Sequence, residues 1–224
     1  FFFKQKTAYE IYQCDWSSDV CSSDLALMRP EDVPHAPIQQ SRHFHVSGIS
    51  MALSPSACEA VFVAMQVARD AGTRVCLDAN VRLRLWPLAR ARKMLTQAVQ
   101  RCDFFMPSEE DMQTLTDLKD PADMIRWAHD QGARVVVLKR GSQGCWVSDA
   151  AQTHTVHAHQ VPFKDATGAG DCFSGNLLAR LAAGDDVFTA ARYANAAAAL
   201  AVQGWGAVAP LPRPQAVRAL LAQG

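Results

Sequence analysis

From His43 to the end of the 224-residue chain, short apolar runs alternate with segments of helical period, joined by short connections. FHVSGI (44–49) reads as a strand ending in a glycine turn. Ser54-Pro55 opens a helix, with Ser56 and Glu59 spaced as a capping box and Ala71-Gly72 closing it. RVCLDAN (74–80) reads as a second strand, Leu88 to Val99 as an amphipathic helix and Asp103 to Met106 as a third strand. Ser108 caps a short helix, and Pro121 to Gln131 forms another. VVVLK (135–139) is a continuous, largely β-branched run, as a strand buried on both faces requires. Trp146 to Val156 reads as a hairpin. Two long helices follow from about Ala169 and about Val187, and Pro214 starts a terminal one. This alternation predicts an α/β fold with a doubly wound, mainly parallel sheet flanked by helices. Ligands of such sheets bind beyond the carboxyl ends of the strands. Asp78-Asn80-Arg82, Ser108-Asp111 and Lys139-Gly141-Gly144 each follow directly on a strand, so all three clusters are expected on one rim.

Lys plus Arg and Asp plus Glu number 22 each. That balance gives no electrostatic footprint for nucleic acid or an anionic membrane. No apolar run approaches the roughly 20 residues that span a bilayer, and the alanine-rich stretch 194–202 reads as a packed helix. Of seven cysteines none forms a Cys-x-x-Cys pair. Cys58, Cys76, Cys102, Cys145 and Cys172 lie beside apolar residues and read as reduced, buried thiols of a cytosolic protein. His154, His157 and His159 lack an acidic or thiol companion and read as the exposed face of the hairpin.

Residues 1–25, FFFKQKTAYEIYQCDWSSDVCSSDL, show neither helical nor strand period. Lys4, Lys6 and Glu10 interrupt any signal-peptide core. The string resembles translated sequencing-adapter read-through and is set aside as non-native, taking Cys14 and Cys21 with it. Residues 26–224 are then expected to be the C-terminal major part of a longer domain, lacking its N-terminal part and inactive alone.

The segment DATGAGDCFSGNLLARLAAG (165–184) carries the chemistry. Gly168 and Gly170 let the backbone curl so that successive N–H groups point at an anion, and the following helix adds its positive end. Such a cradle suits a transferring phosphoryl group, with Asp171 in the first turn as a base. On the residues alone, Asp171 is equally an ordinary first-turn acid and the glycines a plain loop. The Gly-Lys-Ser/Thr of a P-loop is absent.

DATGAGDCFSGNLLARL resembles the C-terminal signature of the ribokinase-like (PfkB) sugar kinases, Asp-Thr-x-Gly-Ala-Gly-Asp, with Ala166 where Thr is common. The similarity runs from about Ala26 to the C-terminus. It implies that Asp171 is the catalytic base and that the Gly168, Ala169 and Gly170 amides form the anion hole. Lys139 to Gly144 resembles the family's nucleotide-binding turn, implying ATP contacts at Lys139, Gly141 and Gly144. Asn195 resembles the residue near the adenine, against a helix-packing amide as the plain alternative. Ser108 to Asp111 takes the place of the family's Asn-x-x-Glu, which orders magnesium; Asp111 is the candidate metal residue, with an exposed helix acid as the alternative.

Asp78-x-Asn80-x-Arg82 followed by Leu85-Trp86 resembles 2-dehydro-3-deoxygluconate kinases and, more loosely, fructokinases. The upstream HVSGISMALSP favours the former. Asn80 is expected at ATP, and Arg82 at either the sugar acid's carboxylate or ATP, since a guanidinium grips both bidentately. The resemblance implies ATP, Mg2+ and a monovalent cation as cofactors, a sugar as substrate, and an intact homo-oligomer formed through a lid. A nucleotide-binding protein without kinase activity is the non-enzyme alternative, and a nucleoside or hydroxymethylpyrimidine kinase on the same fold is a third.

Overall fold

The computed structural model describes residues 24–149 and 151–223. Residues 1–23, nearly all of the adapter-like head, lie outside them. Six strands form one sheet in chain order: β1 (His43–Ser47), β2 (Arg74–Asp78), β3 (Phe104–Phe105), β4 (Val135–Lys139), β5 (Cys145–Ser148) and β6 (Thr153–Val156). β1 to β4 run parallel, and β5 and β6 turn back antiparallel as the expected hairpin. Among the described residues β1 is paired on one side only.

The helices are α1 (His35–Gln39), α2 (Gly48–Ala52), α3 (Pro55–Asp70), α4 (Leu88–Val99), α5 (Glu109–Thr116), α6 (Pro121–Asp130), α7 (Ala169–Ala183), α8 (Val187–Ala201) and α9 (Pro214–Leu221). None is long and apolar enough to cross a membrane. Their ends follow local chemistry. Pro87 precedes α4, Asp120 caps α6 through the Ala122 and Asp123 N–H groups, and Asp186 caps α8 in the same way.

Two local expectations are corrected. The cap of α3 is Ser54, whose Oγ accepts from the Ala57 N–H at 3.0 Å, while the Ser56 hydroxyl turns to Ser54 at 3.1 Å. Pro55 fixes the first helical position, so Ser56 already lies inside the helix and forms no box with Glu59. After β1 the chain passes directly into α2 instead of a glycine turn. Gly48 is needed there for close approach, since a Cβ would come within 1.9 Å of the Ala79 carbonyl oxygen.

Alternation along the strands builds two cores. Val46, Val75, Leu77, Phe105, Val136 and Leu138 face α3 to α6. Cys76, Phe104, Val137, Cys145 and Val147 face α7 and α8, meeting Phe173, Leu177 and the alanines of α8. Helices therefore cover both faces of a mainly parallel sheet, as expected. The strand order does not reverse; the second layer comes from α7 and α8, which arrive after the hairpin. Each fully buried Leu or Phe in these layers contributes roughly 1.5–3 kcal/mol. The five described cysteines are free and buried, and burial pushes the Cys76 and Cys145 thiols up to about 12.

Parallel register brings Ser47 beside Asp78, and an isolated parallel bridge sets Ser108 beside Lys139. The carboxyl ends of β1, β2 and β4 thus share one rim, and the N-terminus of α7 meets it.

Candidate active site

Asp165 shapes the loop that leads into α7. Its Oδ1 accepts from the Thr167 N–H (2.9 Å) and hydroxyl (2.7 Å), and its Oδ2 from the Gly206 N–H (2.8 Å). The Thr167 hydroxyl, then the Gly206 and Thr167 N–H groups, hold its carboxyl below the usual value. Gly168 then takes φ +73°, and a Cβ there would lie 2.8 Å from that of Ala207. The turn needs glycine for its backbone and for the approach of the 203–210 segment.

At this helix end the Ala169 N–H already donates to the Ala166 carbonyl at 3.0 Å. The Gly168, Gly170 and Asp171 N–H groups have no acceptor among the described residues. Of the three expected donors, the turn occupies the Ala169 N–H, while those of Gly168 and Gly170 stay open with that of Asp171 beside them. Asp171 itself is exposed at the first turn of α7.

The loop after β2 faces it. Asn80 adopts φ +38°, rare for a residue with a Cβ. Its Nδ2 lies 3.5 Å from Asp171 Oδ1, at the outer limit of hydrogen bonding, and 3.3 Å from Ser47 Oγ. The exposed Arg82 guanidinium donates to Asn80 Oδ1 (3.2 Å) and to the Val81 carbonyl (2.9 Å). Asn80 and Arg82 are therefore grouped with Asp171 on the rim.

Asp111 is buried and caps α5 in a full capping box with Ser108. Its Oδ2 accepts from the Ser108 N–H (3.1 Å), and its Oδ1 from the Val81 N–H (2.8 Å). It thereby clamps the Asn80–Arg82 loop to α5. The exposed-acid alternative is excluded by this burial. For a magnesium ion the fit is indirect, because each carboxylate oxygen already takes a backbone N–H and retains only its second lone pair. Neighbouring Glu109 is ion-paired to Arg140 at 2.8 Å.

Lys139 ends β4 with its ammonium 2.7 Å from Asp78 Oδ2, and the Ser174 hydroxyl donates to the same oxygen at 2.8 Å. A Cβ on Gly170 would lie 3.7 Å from the Lys139 ammonium. Lys139 and the 168–170 loop are thus adjacent; the Asp78 and Ser174 partners were not expected. Gly141 opens to solvent in the turn between β4 and β5. Gly144 is buried, with a Cβ position 1.9 Å from the Val156 carbonyl oxygen, so its place is against β6. Asn195, 7% exposed, donates from Nδ2 to the His157 carbonyl at 2.8 Å, tying α8 to the segment after β6.

The chain is 34% identical to the 2-dehydro-3-deoxygluconokinase of Thermoproteus tenax over 86% of this chain and 58% of that protein. Among solved structures it resembles an E. coli protein assigned as ribokinase II, in complex with ATP and Mg2+, with TM-score 0.81 and 29% identity over 88% of this chain and 64% of that one. It also resembles the fructokinase of Vibrio cholerae O395 with fructose, ADP and calcium ion bound, with TM-score 0.80 and 29% identity over 87% and 64% of the two chains. The chain spans 58% of the length of the first curated relatives it matches. Residues 21–214 match the pfkB family carbohydrate kinase model. With the anion loop, the facing Asn80 and the shared architecture in place, the chain belongs to the pfkB family of carbohydrate kinases.

Proposed function

We propose that this chain carries the nucleotide and catalytic part of an ATP-dependent sugar kinase that phosphorylates the terminal hydroxyl of 2-dehydro-3-deoxygluconate. The observation that carries the reading is Asp171, exposed at the start of α7 beside three unfilled backbone N–H groups and an adjacent ammonium. Those donors suit the charge spread over the equatorial oxygens of a transferring phosphoryl group. Asp171 takes the proton from the sugar hydroxyl as that oxygen bonds to phosphorus. The bond to the leaving ADP oxygen breaks in line. Asn80 steadies the carboxylate against β1, and Asp111 holds the loop that carries Asn80. Gly141 borders the nucleotide side, and Asn195 supports it through the segment at His157. Magnesium, when bound, would neutralise phosphate charge, and Asp111 would hold it through water.

A sugar acid is favoured by Arg82, whose guanidinium is exposed on the rim and keeps donors free for a carboxylate. The 34% identity to a 2-dehydro-3-deoxygluconokinase supports the same substrate. Fructose is the second reading, supported by the fructose-bound neighbour at comparable structural similarity. Free, buried cysteines fit a cytoplasmic setting. A homodimer of the whole protein and a monovalent cation rest on the family resemblance. The test is ADP release by the full-length gene product with Mg2+ and each sugar in turn. Turnover of 2-dehydro-3-deoxygluconate well above that of fructose is expected, the reverse order moves the chain to the second reading, and release with neither sugar removes both.

A further inference from the structure

Asp78 is 1% exposed, yet its Oδ1 is buried without a hydrogen-bond partner among the described residues. Oδ2 alone takes both the Lys139 ammonium and the Ser174 hydroxyl. This carboxylate joins the ends of β2 and β4 to the second turn of α7. The Lys139 side chain is 13% exposed. One of its three N–H donors goes to Asp78, and the other two have no acceptor among the described residues. Stability does not account for such an arrangement, since well-packed apolar replacements of a buried pair are often neutral or stabilising. What the pair does provide is a fixed ammonium beside Gly170, with two donors left over.

We infer that Asp78 is a positioning residue that acts through Lys139, holding the ammonium where its free donors meet the phosphoryl group being transferred. This rests on the kinase reading above. With the carboxylate in place, the ammonium needs no reorientation when the anion arrives, and preorganised charge of this kind is the stronger form of electrostatic catalysis. Without the carboxylate, the same ammonium is free to follow the bound phosphates, which keeps ATP binding but loses the geometry of transfer.

The test is a double-mutant cycle in the full-length gene product, reading kcat, KM for ATP, calorimetric ATP binding and thermal midpoint. Lys139→Met is expected to lower kcat about 10²-fold. Asp78→Asn is expected to lower kcat at least about 10-fold, with KM for ATP unchanged or lower. The Asp78→Asn/Lys139→Met protein carries no buried charge at this site and should melt within a few degrees of wild type. Its kcat should equal that of Lys139→Met alone, because the two residues act as a unit. Losses that multiply, or a double variant with near-wild-type kcat, overturn the assignment. Should Asp78→Asn alone not fold, comparing the double variant with Lys139→Met decides the matter: equal rates support the assignment and a further drop overturns it. A wild-type protein that binds no ATP overturns the kinase reading and the assignment together, whereas turnover with multiplicative losses overturns the assignment alone.

Discussion

The Nδ2 of Asn80 lies 3.5 Å from Oδ1 of Asp171, joining residues 91 positions apart. The loop after β2 reaches α7 because Asp111 grips the Val81 N–H at 2.8 Å from the start of α5. A chain of polar contacts across three elements thus leads to the Asp171 carboxylate.

Asp111→Ala leaves the Ser108 cap of α5 but removes the return half of its capping box and the anchor of that loop. Two backbone N–H groups lose a charged acceptor, so a loss of about 1–3 kcal/mol in unfolding free energy is expected, already in the absence of magnesium. Chemical denaturation in chelator measures it. Unchanged stability, with turnover that merely demands more magnesium, would reassign Asp111 to the metal.

Gly168→Ala places a Cβ on a backbone at φ +73° and within 2.8 Å of the Ala207 Cβ. Strain of about 1–3 kcal/mol is expected, relieved by distortion of the anion loop. Calorimetry should show ATP binding weakened at least about 10-fold, since a displacement costing 1.4 kcal/mol is already tenfold. Wild-type affinity would show that the loop amides do not hold the nucleotide.

Asp165 links the loop to Gly206, and its hydrogen bonds depress its folded carboxyl. A depressed acid contributes above its ordinary value, here 3.8, and loses that contribution as pH falls through the lower folded value. The Thr167 and Gly206 amides should therefore keep their hydrogen-bonded NMR shifts at pH values where free carboxylates are half protonated. In Asp165→Asn that acid transition should vanish. Amides that titrate at or above the ordinary carboxylate value would contradict the arrangement.

Arg82 faces the rim with donors to spare. Arg82→Ala should raise KM for 2-dehydro-3-deoxygluconate about 10- to 100-fold, as befits a lost charge-assisted pair of about 1.5–3 kcal/mol, and leave fructose phosphorylation nearly unchanged. Equal losses on both sugars would assign Arg82 to ATP.

Much of this was legible because it is local. The bounds of α4, α7, α8 and α9 follow from Pro87, the Gly168 turn, Asp186 and Pro214, each a short-range signal. The glycine turn that opens α7 and the place of Asp171 in its first turn were legible from one contiguous string. The Asp78–Lys139 link spans 61 positions, and only the packing of β2 and β4 around α7 creates it. Gly48 looked like a turn residue because the Ala79 carbonyl that excludes a side chain comes from the neighbouring strand end. Ala169 looked like a free donor because the pattern shows glycine freedom and not which N–H the turn consumes. The exposed-acid alternative for Asp111 stayed open in the sequence because its second partner, Val81, lies 30 positions away.

The most direct test of the account is Asp171→Asn in the full-length gene product. The amide keeps the shape and the contact with Asn80 but accepts no proton. General-base catalysis is worth about 10²–10⁴-fold, so kcat should fall by at least about 10²-fold. ATP binding by calorimetry should change less than about threefold, because the unfilled Gly168, Gly170 and Asp171 backbone N–H groups remain. Near-normal kcat with intact ATP binding would contradict the assignment of Asp171 as the base.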